Sequence, residues 1–387
     1  MNTDIYKMKE VYSYGKYLLG LALILTLEQF HRQPLYDWSL PLIISMQKSS
    51  LQSINFLFTT ASAVTEIENF YLAFLVAYAF KSPQQGLYYL SFISTIWVVK
   101  NFGKLAYHDP RPYMSHDLIQ AVGCEREFGN PSGHSTQSAA ITVFLALELC
   151  EGGGQLVSGL MLAGGVFGLV GFSRVYQGLH SVNQVIFGYQ LGIWLAIFFH
   201  YKLKAVIIES KREALKWYAA VCSIGFAVQV ITFYWVHLTF EIDPEWTRRI
   251  ESKCGDMGEN IYKTYEYKSF VNAGVCFMPL FAIIGCRYSS VNVFAESTKE
   301  KLLKLIASGI MMIPGVVVHK IFTVNKFNYN GVLNAWIILM GRTIIPSVLI
   351  GSLVFRWTNS LYCVFKQSKP RKVDQAEPLL PLNVAIN

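Results

Sequence analysis

The chain is poor in charge. Lys, Arg, Asp and Glu make up 15% of its 387 residues, against roughly 25% in an average soluble domain. With 53% of residues hydrophobic, this shortage argues against a string of soluble domains, which the length alone would allow. It predicts one polytopic bundle instead. No C-x-x-C pair and no Cys/His cluster with zinc spacing occurs, so the seven cysteines form neither a zinc site nor a disulfide framework. No N-x-S/T sequon is usable, because Asn130 is followed by Pro131. No A-x-A cleavage site follows Lys7, Lys9 and Lys16, which predicts an uncleaved first span and not a removed signal peptide. Internal repeats are missing. The net charge of +8 comes without a basic stripe interleaved with aromatics, which argues against a nucleic-acid partner.

What is present is apolar sequence in lengths suited to a bilayer, where a helix needs about 20 such residues to cross. The predicted fold class is all-α: a polytopic membrane helical bundle of about ten transmembrane helices. The expected spans are 17–30, 70–80, 87–99, 135–149, 156–172, 182–199, 217–236, 270–286, 305–318 and 331–355. The first two are the weakest candidates, and 17–30 has the alternative of lying in the interface. Trp38, Trp97, Trp217 and Trp235 fall near span ends, as an interfacial aromatic belt would.

Charge predicts the topology. With the N-terminus in the cytosol, segments 200–216, 287–304 and the tail from Arg356 are cytosolic and carry +3, +2 and +3. The opposite-side loops 113–130 and 238–269 each carry −2. The positive-inside rule fits this alternation. The expected division is a cytosolic N-terminus (1–13), a six-helix core (14–201), four additional transmembrane helices (202–356) and a cytosolic, disordered tail (357–387).

Three short motifs sit at span ends, all on the predicted non-cytosolic side. KLAYHDPRP runs from Lys104 to Pro112, PSGH from Pro131 to His134, and SRVYQGLHSVNQ from Ser173 to Gln184. Each has a plain structural explanation by itself. Lys104 and Arg111 would snorkel to headgroups, Ser132 or Ser135 would cap a helix, and Arg174 and His180 would sit solvated at the interface. Together they supply three cations, two histidines and a small-residue turn into a helix, whose exposed N–H groups favour an anion. Arg174 offers a planar fork for phosphate oxygens. Gln184 lies one helical turn after His180 and can orient its ring. That is equipment for attack on a phosphate monoester through histidine.

These residues resemble the type 2 phosphatidic acid phosphatase superfamily, which includes lipid phosphate phosphatases, glucose-6-phosphatase and vanadium haloperoxidases. The resemblance implies a six-helix phosphatase core. It implies His180 as the nucleophile that forms a phosphohistidine and His134 as the acid that protonates the leaving group. Lys104, Arg111 and Arg174 would hold the phosphoryl oxygens, with Ser132 and Gly133 adding hydrogen bonds. No metal and no cofactor is implied. Many members carry Asp four residues after the nucleophile; Gln184 departs from this and resembles glucose-6-phosphatase and dolichyl-diphosphate phosphatases. The four later spans, the polar loop with EWTRRIESKC and the GRTIIP stretch around Arg342 also resemble glucose-6-phosphatase, whereas the ending LNVAIN lacks its lysine-rich retrieval signal. The expected partners are the lipid bilayer and a phosphorylated lipid, or else a sugar phosphate. The expected setting is an endomembrane such as the endoplasmic reticulum, with a luminal or extracellular site. A reading from another class is a non-hydrolytic binder or transporter of phosphorylated lipids.

Five further positions carry expectations. Arg342 inside the last span needs a partner: Glu66 or Glu68 is favoured, and a second phosphate contact is the alternative. His108 and Asp109 lie beside the pocket. Cys124 and Cys254 both fall on the outer side and are candidates to pair in an oxidising compartment.

Overall fold

The computed structural model describes residues 2–48, 58, 60, 67–125, 127–150, 155–208, 214–254, 265–289, 295, 297–324 and 331–366. The described residues are helical and contain no strand. The order is α1 (Asn2–Lys48), α2 (Ile67–Phe80), α3 (Pro83–Tyr107), α4 (Gly133–Leu149), α5 (Gln155–Tyr176) and α6 (Val182–Phe198). Then come α7 (Ala214–Thr239), α8 (Pro244–Cys254), α9 (Met278–Arg287), α10 (Thr298–Val324), α11 (Val332–Leu339) and α12 (Ile345–Phe365). π-helical turns at Phe199–Leu203 and Met340–Ile344 extend α6 and join α11 to α12.

Six helical stretches among the described residues are long and apolar enough to cross a membrane: Gln155–Tyr176, Val182–Ile208, Leu215–Thr239, Tyr267–Arg287, Thr298–Thr323 and Val332–Phe365. These six coincide with the last six of the ten expected spans; the count of about ten is not confirmed. The other four apolar stretches are helical but fall short by length or polarity. Tyr71–Phe80 is a short apolar helix. With 17 residues, α4 reaches about 25 Å at 1.5 Å per residue, less than a hydrocarbon core of about 30 Å. α3 carries Lys100 and Lys104 in its last two turns. The stretch 17–30 is part of the 47-residue α1, which runs on through Pro34 and Pro41. Side-chain bonds dock its far half: Tyr36 Oη and Ser115 Oγ are 2.6 Å apart, and Gln47 Nε2 donates to the Gln120 and Tyr176 carbonyls.

Local chemistry sets the ends that matter. Ser82 caps α3, accepting from Gln85 N at 3.1 Å, and Pro83 fills its first turn. α3 stops where His108 turns left-handed (φ 39°) and two prolines follow. A capping box between Ser181 and Gln184 opens α6. α4 and α6 lie close because α6 carries Gly188 and Gly192. A Cβ at Gly192 would come within 2.4 Å of Thr136 O, and one at Gly188 within 2.9 Å of Ser132 O. Below this seam, Phe92 of α3 stacks on Phe144 of α4 at 4.1 Å between centroids. The packing puts the C-terminal end of α3, the start of α4, the end of α5 and the start of α6 at one end of the bundle.

The later helices dock on the same end. Leu105 of α3 is buried in one cluster with Phe233 of α7, Tyr267 and Phe270. α8 lies over the turn Pro112–Ser115: Lys253 Nζ donates to the Tyr113 carbonyl at 2.8 Å, and Arg249 Nη1 to Met114 O at 3.2 Å. Cys124 and Cys254, the pair anticipated from sequence, are joined by a disulfide. Arg342 sits in the π-helical turn Met340–Ile344, where its carbonyl accepts from His319 Nδ1 at 2.8 Å. Glu66 and the Glu68 side chain lie outside the described residues, as does the chain from 367 onward.

Candidate active site

Gln184 ties the three motifs together. Its Nε2 donates to Pro110 O at 2.8 Å, in the first motif. Its backbone carbonyl accepts from Ser132 N at 3.0 Å, in the second. Its Oε1 lies 3.1 Å from His180 Nδ1, in the third, and also accepts from Ser181 N at 3.3 Å. The residue that departs from the common Asp is fully used as an amide, since a carboxylate has no N–H for Pro110 O.

The same geometry fixes the tautomer of His180. Nδ1 faces two oxygens, Gly129 O at 2.9 Å and Gln184 Oε1 at 3.1 Å, so it carries the proton. Nε2 is left with its lone pair, 3.2 Å from Arg111 Nη1. His180 is 2% exposed. Burial, then the positive charges of Arg111, Lys104 and Arg174, hold its pKa well below the usual histidine value. The ring is therefore neutral at neutral pH. The Arg174 carbonyl accepts from the N–H groups of both Leu179 and His180, which folds this loop back onto the end of α5.

Lys104 and Arg111 converge on an acidic pair. Lys104 Nζ is 2.5 Å from Glu127 Oε2. Arg111 Nη2 reaches Glu125 Oε2 at 2.8 Å and Glu127 Oε2 at 3.0 Å, and its Nε donates to the Glu127 carbonyl. Lys268 Nζ meets the same carboxylates from the other side, at 3.0 and 3.6 Å. Burial alone would raise Glu127, but Lys104 and Lys268 outweigh it and bring its pKa down to about 2. Lys268 leads the charges that hold Glu125 well below the carboxylate range against burial. Both carboxylates are thus ionised at neutral pH.

The second motif adjoins these cations. Gly133 opens α4, and a Cβ there would lie 3.9 Å from Lys104 Nζ. Ser132 stands at the N-cap position but makes no side-chain capping bond; its Oγ accepts from Ser135 Oγ at 2.9 Å instead. A routine serine cap is therefore not what Ser132 provides. His134 is the second residue of α4 and is partly exposed. Asn130 Nδ2 holds the turn by donating to Glu28 Oε1 at 2.8 Å and Asp109 Oδ2 at 2.9 Å. Asp109 also pairs with Arg32 at 3.3 Å, and its carboxyl is raised chiefly by burial. His108 packs against Phe240, with ring centroids 4.4 Å apart.

Sequence reasoning missed Glu125, Glu127, Gly129 and Lys268. The −2 balance of loop 113–130 was a signal for the two glutamates, because acid beside a cationic pocket needs a partner. Nothing in the local sequence marks Lys268, which lies 84 residues beyond the last motif residue.

Comparison with curated proteins and with solved structures gives no match. A family model, described as the PAP2 superfamily, matches residues 85–208. That stretch runs from the first turn of α3 to the end of the α6 extension and contains all three motifs. The family is the one the motifs resemble, and the stretch its model matches, residues 85–208, ends in two long apolar helices that could each cross a membrane.

Proposed function

We propose that the protein is an integral membrane phosphatase that hydrolyses a phosphate monoester, best a lipid phosphate, through a phosphohistidine. The observation that carries this reading is the orientation of His180: proton on Nδ1, lone pair on Nε2, cations alongside. Nε2 attacks phosphorus in line with the leaving oxygen, forming a P–N bond as the P–O ester bond breaks. His134 gives its proton to the departing alkoxide. A water molecule then attacks phosphorus, loses a proton to His134 and releases phosphate, returning His180 to its neutral form. Lys104, Arg111 and Arg174 stabilise charge on the phosphoryl oxygens, with the N–H groups at Gly133 and the Ser132 hydroxyl alongside. Gln184 acts through His180 as a positioning residue.

A lipid substrate is favoured because the motif residues lie at the ends of apolar helices, the level at which a headgroup layer would sit. Its placement on the luminal or extracellular face of an endomembrane is supported by the charge alternation of the loops and by the Cys124–Cys254 disulfide beside the pocket.

The test is phosphate release by detergent-purified protein with chelator present, on phosphatidic acid, sphingosine phosphate, a polyprenyl diphosphate and glucose 6-phosphate. Release that disappears in His180→Ala is expected, with lipid phosphates preferred. Preference for glucose 6-phosphate would move the reading to a sugar phosphatase. Binding of these esters without release would make the protein a binder or transporter.

A further inference from the structure

Three cations, Lys104 and Arg111 of the first motif and the distant Lys268, share two carboxylates, and the two carboxylates are not equivalent. The Glu127 side chain is 4% exposed and lies between Lys104, Arg111 and Lys268. The Glu125 side chain is 40% exposed and bridges only Arg111 and Lys268. The backbone of Glu125 is pinned independently of its side chain. Tyr113 Oη donates to its carbonyl, and its N–H donates to Tyr113 Oη at 3.1 Å. Cys124, the residue before it, is tied to the end of α8. The Glu125 carboxylate can therefore leave Arg111 and Lys268 by side-chain rotation alone.

Lys268 is held where it is by packing. The helical turn Tyr267–Phe270 stacks Phe270 on Phe233 at 4.0 Å and is buried in one cluster with Leu105, the neighbour of Lys104. With Glu125 swung out, Arg111 and Lys268 would keep an anion-sized gap bounded by two positive charges. Glu127 would still neutralise only one of the three cations. A carboxylate and a phosphate present similar oxygens to such a fork. Arg111 also touches His180 Nε2, so an anion on this pair lies next to the nitrogen read as the nucleophile.

We propose that Lys268, from outside the PAP2 segment, is a substrate-binding residue of the pocket, and that an incoming phosphoryl group takes over Arg111 and Lys268 from the Glu125 carboxylate. This rests on reading the pocket as a phosphate site. Glu125 acts as an internal competitor that keeps the cations ordered and satisfied until substrate arrives.

Calorimetric titration of inorganic phosphate into the detergent-purified full-length protein tests this without requiring turnover. Glu125→Gln removes the competitor and is expected to tighten phosphate binding several-fold. Lys268→Gln is expected to weaken it, and to weaken it about tenfold when introduced into Glu125→Gln, where the cation serves phosphate alone. Lys268→Arg is expected to bind as wild type does. If Lys268 only anchors Glu125, its loss will change nothing in the Glu125→Gln protein, and the proposal is wrong. Weaker binding by Glu125→Gln itself would also overturn it, since Glu125 would then be positioning Arg111. Either result leaves His180-dependent hydrolysis standing. Failure of every protein to bind phosphate would remove the phosphate pocket altogether.

Discussion

At His180 the ring is set before any substrate is present, because two oxygens claim the same nitrogen. Three predictions follow from single side chains. If His180 is the nucleophile as proposed, His180→Ala should reduce hydrolysis by roughly a thousandfold or more in single-turnover assays while phosphate binding survives. Gln184→Glu keeps the shape but sets a carboxylate oxygen against the Pro110 carbonyl, now 2.8 Å from an N–H. It should cost about 1–3 kcal/mol of stability, read as a lower thermal midpoint, and should slow turnover. The third concerns pH. The proposed nucleophile must be neutral to attack, and burial with nearby cations depresses the pKa of His180. Protonation, which stops attack, therefore sets in only at lower pH, and the acid limb of kcat/KM should fall well below the ordinary histidine value of about 6.5. A limb at or above that value would mean that another group sets it.

At the scale of helices, the site depends on how closely α4 approaches α6. The glycines on α6 allow that approach, and their effect is open to a paired test. Gly192→Ala would put a methyl group 2.4 Å from Thr136 O, and such overpacking should destabilise by about 1–3 kcal/mol. Gly165→Ala on α5 meets nothing within 4 Å and should be neutral or stabilise by up to about 1 kcal/mol, the helix-propensity difference. Thermal unfolding of both variants in one detergent checks the contrast. The helix ends bearing the first two motifs were legible, because Pro110, Pro112 and the PSGH turn act through neighbouring residues. The continuation of α1 through Pro34 and Pro41 to Lys48 was not, since its far half is held by bonds to Ser115, Gln120 and Tyr176.

At the scale of the whole molecule, the second half closes the site built by the first. Cys124 and Cys254 are 130 residues apart in sequence and bonded, while Cys150, Cys222, Cys276, Cys286 and Cys363 are free. Alkylation after denaturation without reductant should therefore add five labels, and seven after reduction, as read by intact mass; seven labels at once would mean the pair is open. The sequence by itself determined the helical class of the molecule, the ends of the helices that bear the motifs, and the choice of Lys104, Arg111, His134, Arg174 and His180 as the side chains proposed to do the chemistry. Those depend on composition, short-range turns and side-chain type. Only the tertiary structure decided that Gln184 acts as an amide bridging three motifs, that Glu125 and Glu127 occupy the cations, and that Lys268 joins them. These are contacts between segments far apart in the chain, and a contact of that kind leaves no period or spacing in the sequence to be read.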